Sequence, residues 1–343
     1  MKILKITTTL LLIFLAAFTV FYFWARSPVY SESEYSKLIE FSSGTAPAIG
    51  DTFSVITYNI GYLSGMTNNL AVDRPLDLLE SNMEKAIKLL KKRNPDIIAF
   101  QEIDFNSKRT FNIHQQQKLG LQAGYKYGAE VVNWDKNYVP FPYWPISYNF
   151  GRMLSGQSIL SNSAITSNTR IVLPQPESNP FYYNDFYIDR LAQLVWVETS
   201  QDSMLIINVH FEAWDGPTRE LQAEIVLDIY KKYEKNHPVI LLGDFNCTPP
   251  FAENAFDENT IEILLEHSSI SMAIEKSQYL QNPETYFTFD SEKPYEKIDY
   301  IFYNNKYLNC LNAEVLHEAG EISDHLPVRG VFTFTPKTQK IIQ

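Results

Sequence analysis

The chain has 343 residues, 45% hydrophobic and 20% charged, which excludes wholesale disorder and suffices for one large layered domain or two small ones. Its formal net charge of −11 is the wrong sign for a general electrostatic grip on nucleic acid or anionic lipid headgroups. With only Cys247 and Cys310 there is no disulfide framework and no zinc-type spacing, and Cys247 reads as a small buried apolar residue rather than a nucleophile.

In chain order, Lys2 and Lys5 precede an apolar run over residues 6–25, long enough to cross a bilayer core of roughly 30 Å. A cleaved signal peptide has a shorter core and a small-residue cleavage site. This run ends instead in the interfacial cluster Phe21-Tyr22-Phe23-Trp24, so residues 1–26 read as an uncleaved transmembrane helix. The basic residues before it place its start inside and the rest of the chain outside the cytoplasm, at a periplasmic or extracellular face; Arg26 on the far side counts against that orientation. Residues 27–51 carry Ser, Glu, Pro and Gly and are expected to form a linker, with one short helix over 34–41.

From Thr52 onward strands and helices are interspersed. The β-branched alternation of residues 53–58 predicts a strand, and Leu78, Leu79, Met83, Ala86, Ile87 and Leu90 recur at helical spacing. Asn94-Pro95 stops that helix before a short buried strand at 96–100. The cycle repeats with a strand at 204–209, a helix opened by Pro217 with Leu221, Ile225, Ile229 and Tyr233 on one stripe, and a strand at 238–242. Further strands are expected at 298–303, 313–316 and 328–334, with a tail at 337–343. Between these lie two aromatic-rich, aperiodic stretches, 133–150 and 174–187, which read as long surface loops. Helices outside an apolar sheet core make a layered α/β domain over residues 52–336.

Six places set an acid, amide or imidazole at or just beyond the end of an apolar strand. They are Tyr58-Asn59-Ile60, Gln101-Glu102, Asn208-Val209-His210, Gly243-Asp244-Phe245-Asn246, Lys297-Ile298-Asp299-Tyr300 and Ser323-Asp324-His325. Such ends are where a rigid sheet holds groups in one crevice, and carboxylates meeting there repel unless a divalent cation sits between them. Oxygen donors without a Cys/His cluster favour Mg²⁺, Mn²⁺ or Ca²⁺ over zinc. Taken singly, each group has an ordinary reading: Asn59 a turn cap, Glu102 a solvated charge, His210 a structural histidine. It is their order along the chain that carries weight. Arg152 and Arg190 flank the two aromatic stretches and are candidates to meet a phosphate; surface ion pairs would explain them equally well.

The ordered set resembles the endonuclease/exonuclease/phosphatase superfamily, which includes DNase I, AP endonucleases, inositol polyphosphate 5-phosphatases and neutral sphingomyelinases. The resemblance covers residues 52–334 and implies a DNase I-like four-layer α/β/β/α sandwich, here preceded by the transmembrane helix. It implies Glu102 as primary metal ligand with Asn59 and Asp324 beside it, for Mg²⁺ or Mn²⁺. It implies Asp244 and Asn246 on the attacking water and phosphate, and Asp299 bonded to His325, leaving Asp244 and His325 both open as the general base. It makes His210 a general acid or oxyanion stabiliser, a step at which AP endonucleases carry tyrosine. The expected activity is metal-assisted hydrolysis of a phosphodiester, with a lipid headgroup favoured by the anchor and aromatic loops. The alternatives are an extracytoplasmic DNase-like nuclease and a catalytically inactive binding module on the same fold. No protein partner is inferable from the chain.

Overall fold

A computed structural model describes residues 1–44 and 47–336; the expected tail at 337–343 lies outside the described residues. The apolar run forms helix α1, Lys2–Arg26, whose 25 residues span about 37 Å at 1.5 Å per residue. Only its C-terminal end, around the buried Ala25, is covered by the rest of the chain.

The segment expected as a linker is partly sheet. After a single 3₁₀ turn at Glu32–Glu34, strand β1 (Ser36–Glu40) pairs antiparallel along Tyr127–Val131. Its follower Phe41 lies against Gly120 and Gly128, where any larger side chain would collide with the ring. Composition misled here because a short, half-exposed edge strand needs no apolar run.

The elements that follow are β2 (Thr52–Asn59), α2 (Leu76–Arg93), β3 (Ile97–Asp104), α3 (Gln115–Ala123), β4 (Tyr127–Val139) and β5 (Gly151–Ser161). Next come β6 (Ile165–Val172), the single turn α4 (Phe181–Asn184), β7 (Leu191–Thr199), β8 (Asp202–His210), α5 (Gly216–Tyr233) and β9 (Val239–Asp244). The chain closes with α6 (Thr260–Leu265), β10 (Ile270–Met272), α7 (Lys276–Gln281), β11 (Asp299–Asn304), β12 (Leu308–Val315) and β13 (Val328–Phe334). The first aromatic stretch is therefore strand as far as Val139, and only 140–150 is loop.

Two sheets result. One has the order β1-β4-β5-β3-β2-β13-β12, the other β10-β11-β9-β8-β7-β6. Period-2 alternation explains why they stack. Met204 and Ile206 of β8, with Ile240 and Leu242 of β9, join the core shared with the first sheet. Leu205, Ile207 and Val209, with Val239 and Leu241, face away and pack under Ala223, Val226 and Tyr230 of α5. Helix α2 buries Leu79, Met83, Ala86, Ile87 and Leu90 on the far side of the first sheet, which gives four layers. The buried face of α5 is rotated from the expected stripe: it runs through Gln222, Ala223, Val226 and Tyr230, while Leu221 is exposed. The reason is that Arg219 and Gln222 are drawn inward, to Glu212 O and Glu258 and to Pro174 O.

Candidate active site

Strand register brings the polar ends together. Strands β8 and β9 run parallel with His210 opposite Asp244, and β9 and β11 run antiparallel with Asp244 opposite Asp299. The close approach of β8 and β9 depends on Gly243, at φ 144°, where a Cβ would lie 1.9 Å from Val209 O. On the other sheet, β2 and β3 set Asn59 opposite Gln101. The register of β3 with β5 slips between Phe100 and Ile103, and in that bulge Glu102 adopts φ 49°, which aims its side chain into the cleft. Asn246 also sits at φ 49°, two residues past the β9 end; its amide N–H donates to Asp244 Oδ1 at 2.9 Å. Two left-handed non-glycine residues at one site are strain that the surrounding strands hold in place. Finally, Ser323 Oγ donates to Asn59 O at 2.8 Å and ties the Ser323-Asp324-His325 loop to the β2 end.

The side chains converge closely. Asn59 Nδ2 donates to Asp244 Oδ2 at 2.9 Å and to Glu102 Oε1 at 3.3 Å. His325 Nδ1 lies 2.9 Å from Asp299 Oδ2, and its Nε2 faces Asp244 Oδ2 at 3.8 Å. His210 Nε2 lies 3.5 Å from Asp244 Oδ2 and 2.7 Å from Arg190 Nη1. A guanidinium only donates, so His210 Nε2 accepts from Arg190 and is not free to donate a proton into the site. Asn246 Nδ2 is turned to Phe211 O at 3.0 Å. Glu102, His210, Asp244, Asn246 and His325 line the floor of a cleft of about 1360 Å³, with Asn59 and Asp299 bonded to them from beneath.

Burial and mutual charge set the protonation states. Burial alone would depress the His325 imidazole, but Asp299 and Asp244 outweigh it and hold it well above its ordinary value. Burial pushes the Asp244 carboxyl up, and Asp299 adds to that while His325 opposes it. Burial, then the Arg190 charge, keeps His210 well below its ordinary value and therefore neutral. Asp324 is raised by burial and by the neighbouring Glu102 charge, against His325.

The residues present fit a hard cation. A single amide nitrogen, Asn68 Nδ2, lies 3.2 Å from Glu102 Oε2 and 3.0 Å from Asp324 Oδ2, while Asn68 Oδ1 is buried without a partner. Two carboxylates at a site and an unused amide oxygen beside them make an all-oxygen donor set suited to Mg²⁺ or Mn²⁺. Asp244, Asp299 and His325 also present ligand atoms within 4.8 Å of one another, but His325 Nδ1 there is engaged with Asp299.

All eight residues singled out in the sequence lie at this one place. Two members of the same motifs do not join them. Gln101 and Asn208 are buried between the sheets, with Gln101 Nε2 donating to Asn208 Oδ1 at 2.6 Å, and act as cross-ties under the floor. The two arginines part company: Arg190 lines the cleft, whereas Arg152 is bonded to Asp135 Oδ1 at 2.7 Å and to backbone carbonyls. Sequence reasoning missed Asn68, which has no motif around it, and Arg109, which lines the cleft between Asp104 and the Tyr62 ring, 3.6 Å from its centroid.

Residues 56–325 match the Endonuclease/Exonuclease/phosphatase family. Among solved structures, the chain is similar to an endonuclease/exonuclease/phosphatase from Beutenbergia cavernae at 18% identity and TM-score 0.59, covering 83% of this chain and 72% of that one. It is also similar to the human Nocturnin catalytic domain, solved with a bound sulfate anion, at 17% identity and TM-score 0.56, covering 90% and 99%. A mannosyl-6-phosphatase from Bacteroides thetaiotaomicron aligns at 15% identity and TM-score 0.56, covering 82% and 100%. No curated protein matches the chain in sequence.

Proposed function

From the premise that the chain belongs to the endonuclease/exonuclease/phosphatase family, we propose that it hydrolyses a phosphodiester by attack of water, with Mg²⁺ or Mn²⁺ as cofactor. The observation that carries this is the convergence of Asp299, His325 and Asp244 beside the Glu102 and Asp324 carboxylates on one cleft floor. Glu102 and Asp324 would hold the cation, with Asn59 bracing Glu102. Such an ion, when bound, supplies positive charge that polarises the phosphoryl oxygen.

The rest is done by the chain's own side chains. Asp244, raised by burial and fixed by Asn59 and the Asn246 amide, takes the proton from the attacking water. His325, kept protonated by Asp299, hydrogen-bonds to the phosphate as its charge grows, and the ester P–O bond breaks with the leaving oxygen taking its proton from solvent. This divides the two candidates for general base: Asp244 accepts, His325 stabilises. Arg190, fixed by His210 and Glu212, offers its remaining N–H groups to a phosphate oxygen.

The domain organisation follows the same proposal: an uncleaved anchor at 1–26 and one catalytic domain behind it, lying outside the cytoplasm. Lys2 and Lys5, ahead of the apolar run, support that direction, against the single Arg26 on the far side. A lipid-type phosphodiester is favoured over DNA by the lining of the cleft. Histidines aside, its only cationic side chains among the described residues are Arg109 and Arg190, each already paired with a carboxylate, so there is no basic stripe for a nucleic-acid backbone.

The test is the full chain in detergent on bis-p-nitrophenyl phosphate, with Mg²⁺ or Mn²⁺ and with EDTA. Metal-dependent release of p-nitrophenol, abolished by EDTA, is expected. A folded protein that releases none would overturn the proposal in favour of a binding module. Cleavage of plasmid DNA that falls steeply with salt would move the assignment to the nuclease branch.

A further inference from the structure

The cleft has a second end, and α1 walls it. Phe18, Tyr22 and Phe23 of the apolar helix line the same cavity as Glu102, Asp244 and His325. The helix is held there by specific contacts. Arg26 pairs with Asp185 at 2.8 Å, and Tyr22 hydroxyl donates to the same carboxylate. The Tyr22 ring meets Phe186 edge-on at 5.6 Å, Phe21 meets Tyr138 at 5.7 Å, and Asn137 Nδ2 donates to Trp24 O at 3.1 Å. The last turns of α1 are thus part of the domain's surface, while the preceding residues carry exposed apolar side chains along a length fit to cross a membrane.

The connections beside this end are aromatic and unusually bare. Trp144 is 76% exposed, Phe181 74% and Trp214 83%; Phe181 and Trp214 line the cavity, and Trp144 follows its lining residue Tyr143. Large apolar groups crowded beside a spanning helix are what an interfacial belt requires. Counting from Arg26, Phe18 lies about 12 Å further along the helix, deeper than a headgroup layer that Trp24 and Arg26 would mark. With Trp24 and Arg26 at the headgroups, the cavity would run from acyl-chain depth to the carboxylates. A water-soluble ester has no use for its apolar end, whereas an amphiphile fills both ends at once.

We infer that the substrate is a membrane-resident phosphodiester whose apolar chain passes between α1, at Phe18 and Phe23, and the rim at Phe181, so that the anchor is one wall of the substrate site as well as a tether. The inference rests on the phosphoesterase proposal above and adds the path of the substrate's apolar chain and the part played by α1.

The experiment uses the full chain in nonionic micelles with Mg²⁺ and a series of p-nitrophenyl alkyl phosphates bearing methyl, octyl or hexadecyl groups. The leaving group is constant, so the methyl ester reads the chemistry and the series reads the apolar end. In the wild type, kcat/KM should rise at least about tenfold from methyl to hexadecyl, a modest return for burying several methylenes. Phe18→Gln should lower the hexadecyl-to-methyl ratio at least threefold. Phe181→Ser, at a side chain 74% exposed, should lower it as well. Leu11→Gln, about two turns further along α1 and outside the cavity, should keep the wild-type ratio and so controls for helix insertion and micelle partitioning. A flat series, or a ratio that falls no more in Phe18→Gln and Phe181→Ser than in Leu11→Gln, overturns the inference while leaving the phosphoesterase intact. No hydrolysis even of the methyl ester removes the phosphoesterase proposal, and the inference with it.

Discussion

On the floor of the cleft, Asn59, Asp244, Asp299 and His325 are nearly inaccessible to solvent, and each stands at a strand end or in a loop bonded to one. At the rim, the groups facing the same cavity ride on the connections 140–150 and 174–187 and on α1, and many of their rings stand in solvent. The floor is polar, internally bonded and fixed by sheet register; the rim is aromatic and fixed by docking a helix onto an extended strand. A rigid polar floor suits chemistry that any phosphodiester shares. A separately built rim can then choose among esters without disturbing it.

If the floor does the chemistry, its substitutions should be severe and should leave folding nearly untouched. Glu102→Ala should reduce turnover of bis-p-nitrophenyl phosphate at least about 10³-fold, the scale of several kcal/mol of lost charge stabilisation. Its melting temperature in EDTA should not fall below wild type, because Asp324 loses a like-charged neighbour; a large drop would make Glu102 structural. His325→Ala should cost at least about 10²-fold, and a variant within a few-fold of wild type would remove it from the mechanism. Asp299→Asn should cost less, about tenfold, and should displace the pH–rate profile. Burial depresses His325 and the Asp299 charge raises it, so without that charge the imidazole loses its proton at lower pH. The alkaline limb should therefore move toward acid, and an unmoved limb would show that it reports another group.

The same contrast governs what could be read from the chain. The floor was legible because a strand-end residue announces itself locally: an apolar run stops at Asp244 or His210, and register does the rest. Even there, strand period alone could not separate Asn208 from His210, two positions apart on one strand and so on the same face; only the opposing sheet turns Asn208 into a cross-tie with Gln101. Asn68 escaped notice because it reaches Glu102 and Asp324 from an irregular connection, where side-chain direction has no period. The rim was illegible for a similar reason. Its helix was plain, but nothing in the order of residues 1–26 says that Tyr22 and Arg26 will find Asp185. Strand β1 was hidden because one half-buried edge strand leaves almost no apolar signature.

The two arginines set the contrast in a single residue type. Arg190 belongs to the floor, joined to His210 and Glu212. Its replacement by alanine should lower turnover by about 10- to 100-fold, the worth of one charge-assisted hydrogen bond. Arg190→Lys should recover only part of it, since an ammonium lacks the guanidinium fork. Arg152 belongs to the rim's support. It bonds Asp135, whose Oδ2 receives the amides of Val29 and Tyr30 at 3.0 and 2.8 Å, the stretch of chain that leaves α1. Arg152→Ala strands a buried carboxylate that still keeps those amides and the Tyr35 hydroxyl, and Arg152 itself is partly exposed. The loss of stability should accordingly be about 1 to 2 kcal/mol, below the range for breaking a fully buried pair. Turnover of the small ester should stay within about threefold of wild type, because no floor group touches Arg152. Calorimetry and steady-state rates on the two alanine variants decide the matter together. A rate loss confined to Arg190→Ala keeps floor and rim as separate devices, although that variant strands the buried Glu212 and should lose more stability than Arg152→Ala, whereas an Arg152→Ala rate loss as large as that of Arg190→Ala would mean that the junction with α1 positions the catalytic groups themselves.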